Sequence, residues 1–177
     1  MSLSVKDRGE AVATFRYVHV ASMETLAAWT PSTPEMEVKL MFGEHIWNLA
    51  QQADGFGKRT LELRLPLQHS IEPIDRYLRL LTDVRQETAT AHRLAGFYDV
   101  VLPGLAVRFG RYLEQTDSLM DAPTVRIVEH CLDVQAKMIK DGLELREQFP
   151  VLNDVDKAWV ESALSDEAQV QTLVRAA

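Results

Sequence analysis

Apolar residues recur at spacings of three and four along most of this chain, and this periodicity constrains the fold more than any other feature. Phe15, Val18 and Leu26 show it early in the sequence, and Val38 and Phe42 continue it. Such spacing places apolar side chains on one face of an α-helix. No stretch has the alternating pattern that is typical of β-strands. The sequence therefore predicts an all-α protein.

Proline and capping residues divide this pattern into separate helices. Thr33 can cap a helix that begins with Pro34, and Ser70 can cap the next one. The segment FYDVVLPGLAVRFGRYLEQTD is helical but interrupted at Pro103, which lacks a backbone donor. Asp121 and Pro123 open a further helix. The predicted long helices are 10–30, 34–56, 71–98 and 124–148, and a short helical tail is predicted at 155–175.

These elements predict one domain over residues 1–177, with its core at 10–148 and the tail beyond it. Short connections force consecutive helices to lie antiparallel, so we expect an up-down bundle of four to five long helices. Several helices are apolar over a wide arc, and a small bundle does not bury all of that surface. We therefore expect a homodimer, because two-fold pairing is the commonest solution.

Composition excludes several classes of function. The net charge of −7 opposes a nucleic-acid partner, which requires a cationic surface. No apolar run approaches the roughly 20 residues of a membrane helix, and the first ten residues lack the apolar region of a secretory signal. Cys131 is the only cysteine, and we expect it to be a buried, unreactive thiol. By elimination we expect a cytoplasmic protein with no membrane partner.

The stretch EMEVKLMFGEHIWNLAQQAD, residues 35–54, has an unusual arrangement of polar residues. Glu37, Glu44, Asn48 and Gln52 share one sector of the predicted helix, directly beside its apolar stripe, and His45 lies between the two. Such groups lie at the flank of the core or inside it. A buried carboxylate needs a cation or a metal as its partner. The pattern indicates either a metal-binding face or the polar margin of the core.

Histidine and acidic residues recur on the other predicted helices. His19 lies on the first helix and His92 on the third, while Glu129, His130 and Asp133 lie on the last long helix. One histidine with nearby acids on each of four helices supplies the types of ligand that a carboxylate-bridged two-metal site requires. For each single histidine, a hydrogen-bonded core position is the simpler interpretation.

The four-helix layout, with Glu37, Glu44-His45 and Glu129-His130 along it, resembles the ferritin-like superfamily of di-iron carboxylate proteins. The resemblance implies a bundle that binds iron or manganese. The implied ligands are Glu37, Glu44, His45, Glu129 and His130, with His19, His92 and Asp133 as additional candidates. The superfamily's Glu-x-x-His spacing is missing, because Trp47 and Leu132 stand three residues after the two glutamates.

Two main functions follow from these observations. The first is a non-catalytic binding or interaction module with a degenerate metal site, whose partner is a small molecule or a protein. The second is a di-metal carboxylate oxidoreductase. A metal-free helical enzyme is a third alternative. We expect Trp47 to pack in the core or at a dimer interface, and arginines such as Arg59 and Arg93 to be solvated.

Overall fold

The computed structural model describes residues 3–175, and over that range the chain is helical with no β-strand. The fold class predicted from periodicity is therefore confirmed. The α-helices are α1 (Val5–Trp29), α2 (Met36–Glu62), α3 (Asp75–Gln86), α4 (Thr90–Leu94), α5 (Leu102–Gln115), α6 (Ala122–Gln148) and α7 (Lys157–Ala168). Short 3₁₀ turns occupy Thr30–Ser32 and Pro150–Asn153, and a π-helical segment occupies Ala95–Val101. None of the helices described is long and apolar enough to span a membrane.

The second helix differs from its prediction at both ends. Thr33 is not its N-cap, because the Thr33 hydroxyl donates to the carbonyl of Trp29, and α2 starts only at Met36. The helix also continues through the glycines at 55 and 57 to Glu62. It ends where Arg64 adopts a left-handed backbone conformation, with φ of 67°. Burial of Phe56 and Thr60 explains why tertiary packing outweighs the low helix propensity of glycine.

The third predicted helix, 71–98, is divided in two. Ser70 accepts a hydrogen bond from Arg16 and does not cap a helix, so α3 begins at Asp75. The chain is extended at Glu87, with ψ of 136°. There the buried Arg93 side chain donates to the Glu87 carbonyl at 2.8 Å and to Thr33 at 3.0 Å. The guanidinium thus supplies polar contacts at the break, and the expectation that Arg93 is solvated was wrong.

At Pro103, where an interruption was predicted, the helix does not break. Residues 90–115 are continuously helical, and the hydrogen bonding changes to the π pattern over Ala95–Val101, just before the proline. Proline lacks a donor for the carbonyl one turn earlier, and a π segment is a local way to absorb that loss. Tyr98 lies in this segment and is fully buried.

Contacts between side chains give the helix directions. Phe15 contacts Phe56, and Trp29 contacts Phe42, so α1 and α2 are antiparallel. The pairs Phe15–Phe109 and Trp29–Phe97 make the 90–115 stretch antiparallel to α1 as well. Helix α6 is antiparallel to α2, through the pairs Arg59–Asp121 and His45–Asp141. It is also antiparallel to the 90–115 stretch, through the pairs Tyr112–Asp121 and Asp99–Arg146.

These directions mean that α2 and the 90–115 stretch run parallel to each other. The four long helical stretches therefore run up, down, down and up. A parallel pair cannot be joined by a tight turn, and the connection over residues 63–89, which includes α3, crosses from one to the other. The expectation of short loops throughout was wrong at this connection.

Aromatic side chains fill the bundle at two levels. Phe15, Phe56, Phe109 and Tyr112 pack together at one level, with Phe15 and Phe109 ring centroids 4.8 Å apart. Trp29, Phe42, Phe97 and Tyr98 form the other level, together with His45. The positions between these two levels are where polar residues enter the core.

Candidate functional site

The acidic residues that were predicted as metal ligands lie in solvent. Glu37 and Glu44 on α2 are exposed, and so are Glu129, His130 and Asp133 on α6. Within residues 3–175, no three or more His, Cys, Asp or Glu side chains come close enough to hold one metal ion. The expectation that these groups face inward was wrong.

Helix packing explains this outcome. Helix α2 contacts α1 on one side and α6 on another. Glu37 and Glu44 lie on the exposed side of α2, outside the buried part of both contacts. Glu44 instead forms a surface ion pair with Lys137 of α6. Periodicity gives the angle between two side chains on a helix, but not which angles a neighbouring helix covers.

His45 was correctly singled out as a buried residue of this stretch, and it forms a hydrogen-bonded chain. Its Nδ1 lies 2.7 Å from the Tyr98 hydroxyl and its Nε2 lies 3.3 Å from Oδ2 of Asp141. A carboxylate can only accept, so Nε2 carries the proton and Nδ1 accepts from Tyr98. Burial lowers the pKa of His45, although Asp141 opposes this shift, and burial raises the pKa of Tyr98.

This chain connects the core to the surface but exposes only its outer end. Tyr98 and His45 are fully buried, whereas Asp141 is partly exposed in a shallow cleft beside Glu44 and Lys137. The backbone of Gly142 allows the close approach of Tyr98, because a Cβ there would lie 2.9 Å from the ring. A ligand in the cleft reaches neither His45 nor Tyr98. The role of this hydrogen-bonded chain is therefore structural: it links α2, α6 and the π-helical segment.

His19 occupies the centre of the bundle. It is fully buried, its Nδ1 lies 2.7 Å from the carbonyl oxygen of Phe15, and its ring lies 5.2 Å from that of Phe56. Burial lowers the pKa of His19 to about 4, and the hydrogen bond to the Phe15 carbonyl offsets only part of this shift. The imidazole is therefore neutral near pH 7. Its Nε2 has no hydrogen-bond partner among the described residues.

The register of the antiparallel helix contacts places three further buried polar side chains near the level of His19. Ser22 lies one turn along α1, Gln52 extends from α2, and Gln135 extends from α6. All three are at least 95% buried, and their polar side-chain atoms have no partner within residues 3–175. We call His19, Ser22, Gln52 and Gln135 the central polar layer. Gln52 was noted in the sequence, but Gln135 was not recognised as a polar core position.

Two further side chains considered in the sequence are His92, which lies apart from this layer, and Cys131, which is unreactive. His92 is half-buried beside Trp159, with ring centroids 5.2 Å apart, and its Nε2 accepts from the backbone amide of Asp156 at 3.4 Å. Cys131 is fully buried in the core, and burial raises its pKa to about 12. A thiol with so high a pKa is not a nucleophile at neutral pH.

The central polar layer does not fit the pair of iron or manganese ions that the resemblance implies. Its members are an imidazole, a hydroxyl and two amides, all uncharged at neutral pH. The fully buried Asp121 is paired with Arg59, and the largely buried Glu167 is paired with Arg108. Two divalent cations would bring four positive charges into the core without carboxylates to balance them.

A second polar cluster joins the ends of three helices, and the sequence did not reveal it. Asp121 is fully buried and accepts hydrogen bonds from Arg59, Thr124, Tyr112 and Thr116, at distances of 2.6–2.9 Å. Burial alone raises the pKa of Asp121, but these four donors outweigh it and leave the pKa below its usual value. This cluster is saturated with internal partners, so it stabilises the fold and has no group free for a ligand.

Comparison with known proteins assigns no family to the chain: no protein-family model, no curated protein and no solved structure matches it.

Proposed function

We propose that the chain is a non-catalytic, ferritin-like helical interaction module whose central polar layer does not bind a pair of metal ions. The positions of the charged side chains are the main observation that supports this proposal. The acids predicted to hold metals face solvent, and the members of the central polar layer are uncharged. On this proposal the di-metal oxidoreductase is the alternative that the arrangement of side chains favours less.

The order of helix directions supports the ferritin-like part of the proposal. Four-helix bundles with ferritin-like connectivity have one long crossover between two parallel helices. Here the connection over residues 63–89 joins the parallel α2 and 90–115 stretches. The central polar layer also lies in the bundle core, where ferritin-like proteins place metal ligands. Neutral residues at that level are the expected remnant of a degenerate metal site.

Metal analysis tests this proposal directly. Protein purified without a histidine tag, incubated with iron(II) or manganese(II) and then desalted, should retain far less than one ion per chain. The physical reason is the missing negative charge in the core. Near-stoichiometric metal that is lost in both Glu44→Ala and Glu129→Ala would overturn the proposal and favour the oxidoreductase.

The exposed face of α2 supports an interaction with a second copy of this chain. Met36, Leu40 and Trp47 are each more than 60% exposed and lie with Gly43 along one stripe about 16 Å long. A Cβ at Gly43 would meet nothing within 4 Å, so the surface of the stripe has a gap at this glycine, one turn before the bulky Trp47. Two copies in antiparallel contact can place each indole over the partner's glycine, which makes the patch self-complementary, as two-fold pairing requires.

The area of this stripe limits the strength of the pairing. Stable interfaces bury roughly 800 Å² on each partner, and four side chains on one helix supply only part of that area. We therefore propose a concentration-dependent homodimer and not a permanent one. Sedimentation equilibrium should show the 20.0 kDa chain shifting towards twice that mass with rising concentration.

Trp47→Glu should abolish this shift, because it replaces the indole that packs over the partner's glycine with a charged side chain. Leu119→Glu is the matched control, since Leu119 is 83% exposed in the α5–α6 connection and lies outside the stripe. A wild-type mass of one chain at all concentrations, or an unchanged dimer in Trp47→Glu, would exclude this interface.

A further inference from the structure

One cleft of the described chain lies away from the central polar layer. It has a volume of about 300 Å³ and is bounded by the start of α1, by α5 and by the segment that follows α7. That volume is at the lower end of the range for small-molecule pockets. The cleft therefore suits a molecule of amino-acid size better than a large cofactor.

The floor of the cleft is apolar and fixed in place. Ala11, Phe15 and Leu173 line it, and all three side chains are buried in the protein. The segment that carries Leu173 is anchored from both sides: the Leu173 carbonyl accepts from Ile74 at 2.9 Å, and Arg111 donates to the Gln171 carbonyl at 2.7 Å. A preformed apolar floor binds an apolar group without the cost of ordering the wall.

Opposite charges lie on the two facing walls. Helix α1 contributes Asp7 and Glu10, which are three residues apart and share one face. Helix α5 contributes Arg108 and Arg111, again three residues apart. The lining thus has two carboxylates on one wall, two guanidiniums on the other, and no net charge.

Two of these charged groups have capacity left for a ligand. Arg111 has no carboxylate within 4 Å in the described part of the chain, and it has donors beyond the one that contacts Gln171. Within residues 3–175, the one ion pair of Glu10 is with the exposed Lys6, at 3.6 Å, and such surface pairs contribute little. Asp7 is already engaged in the capping box with Ser4, and Arg108 is paired with Glu167. Arg111 and Glu10 are therefore the groups that would meet a ligand.

We infer that this cleft binds a free amino acid with an apolar side chain. The carboxylate of the ligand pairs with Arg111, its ammonium group pairs with Glu10, and its side chain lies on Phe15 and Leu173. A simple anion would meet repulsion from α1, and a simple cation would meet repulsion from α5. Only a zwitterion satisfies both walls, and the apolar floor favours an apolar side chain. This inference names a ligand for the proposed interaction module, but it depends neither on self-association nor on metal content.

Isothermal titration calorimetry with phenylalanine, 3-phenylpropionate and 2-phenylethylamine tests the inference on the intact chain. Phenylalanine should bind saturably at millimolar concentration or below. Each of the two singly charged analogues should bind about tenfold more weakly or worse, because each loses one charge-assisted hydrogen bond of roughly 1.5 kcal/mol or more. Equal binding of 3-phenylpropionate, or no binding of phenylalanine at millimolar concentration, would overturn the inference.

Single substitutions locate the binding to this cleft. Arg111→Gln and Glu10→Gln each remove one charge from a side chain that is not in the core, so the fold is retained, and each should weaken phenylalanine binding about tenfold. Arg126→Gln, on the exposed face of α6, is the matched control and should bind as the wild type does. Binding that survives unchanged in Arg111→Gln and Glu10→Gln would place the ligand elsewhere and refute the assignment. Metal analysis of the same samples reports separately on the proposed function.

Discussion

Asp121→Ala should lower the free energy of unfolding by about 3–5 kcal/mol, which is the usual cost of removing one partner from a buried ion pair. The substitution leaves the guanidinium of Arg59 largely buried, with only the exposed Glu62 as a charged partner. It also removes the acceptor for the hydroxyls of Tyr112 and Thr116. Urea unfolding followed by far-UV circular dichroism at pH 7 measures the change.

Asp133→Ala is the matched control for this substitution. Asp133 is an exposed aspartate on α6, so its removal should change the free energy of unfolding by less than about 0.5 kcal/mol. A loss below about 1 kcal/mol in Asp121→Ala would contradict the role assigned to the cluster.

The pH dependence of the Asp121→Ala effect has a definite sign. The folded protein holds the pKa of Asp121 below its ordinary value of 3.8. A depressed carboxyl pKa stabilises the folded state above the unfolded pKa, and this stabilisation is lost as the pH falls below it. The difference between wild type and Asp121→Ala should therefore narrow as the pH is lowered below about 4.

This cluster also illustrates what the sequence could not predict. Asp121 was predicted only as the start of a helix, and Arg59 only as a solvated base. The two residues are 62 positions apart, and their contact depends on α2 and α6 being antiparallel with one particular register. Periodicity is a local property, so it carries no information about that register. The polar type of a residue likewise does not tell whether helix packing will bury it.

The fold was more predictable than the site for the same reason. Spacings of three and four placed the ends of α1, α2 and α6 within six residues of their observed bounds, since apolar periodicity follows the buried side of each helix. The prediction was wrong at Glu87, where the break depends on Arg93 reaching back to the preceding carbonyl. It was also wrong about Glu37 and Glu44, because their burial depends on the neighbours of α2 and not on their angle to its apolar stripe.

His45 and His19 show where the sequence argument succeeded. Both were identified as histidines close to an apolar face, and both are fully buried. The simpler interpretation given for each, a hydrogen-bonded core residue, agrees with their contacts to Tyr98 and to the Phe15 carbonyl. Their partners were not predictable, since Tyr98 is 53 positions from His45 and packs against Gly142 of a third helix.

The burial of His19 leads to the second large expected effect, which is on stability in acid. Its pKa is about 4 in the folded protein, against 6.5 for an unburied histidine. The unfolded chain therefore binds a proton in the range between these values and the folded chain does not. The contribution of neutral His19 to the free energy of unfolding is fully present above pH 6.5, and it is lost as the pH falls towards 4. Each unit of difference corresponds to about 1.4 kcal/mol, so the loss from this group is about 3 kcal/mol.

His19→Asn separates this contribution from that of every other titrating group. Asparagine can still donate to the Phe15 carbonyl, but it does not titrate. We therefore expect the variant to be less stable than the wild type at neutral pH, and its free energy of unfolding to lack the acid-dependent loss that His19 causes. Between pH 7 and pH 4 the wild type should lose about 3 kcal/mol more than His19→Asn in urea unfolding. His130→Asn, at an exposed position of α6, should follow the wild-type curve. Parallel curves for wild type and His19→Asn would mean that His19 is protonated inside the folded bundle, and a charged imidazole would then have to be stabilised by a partner within the central polar layer.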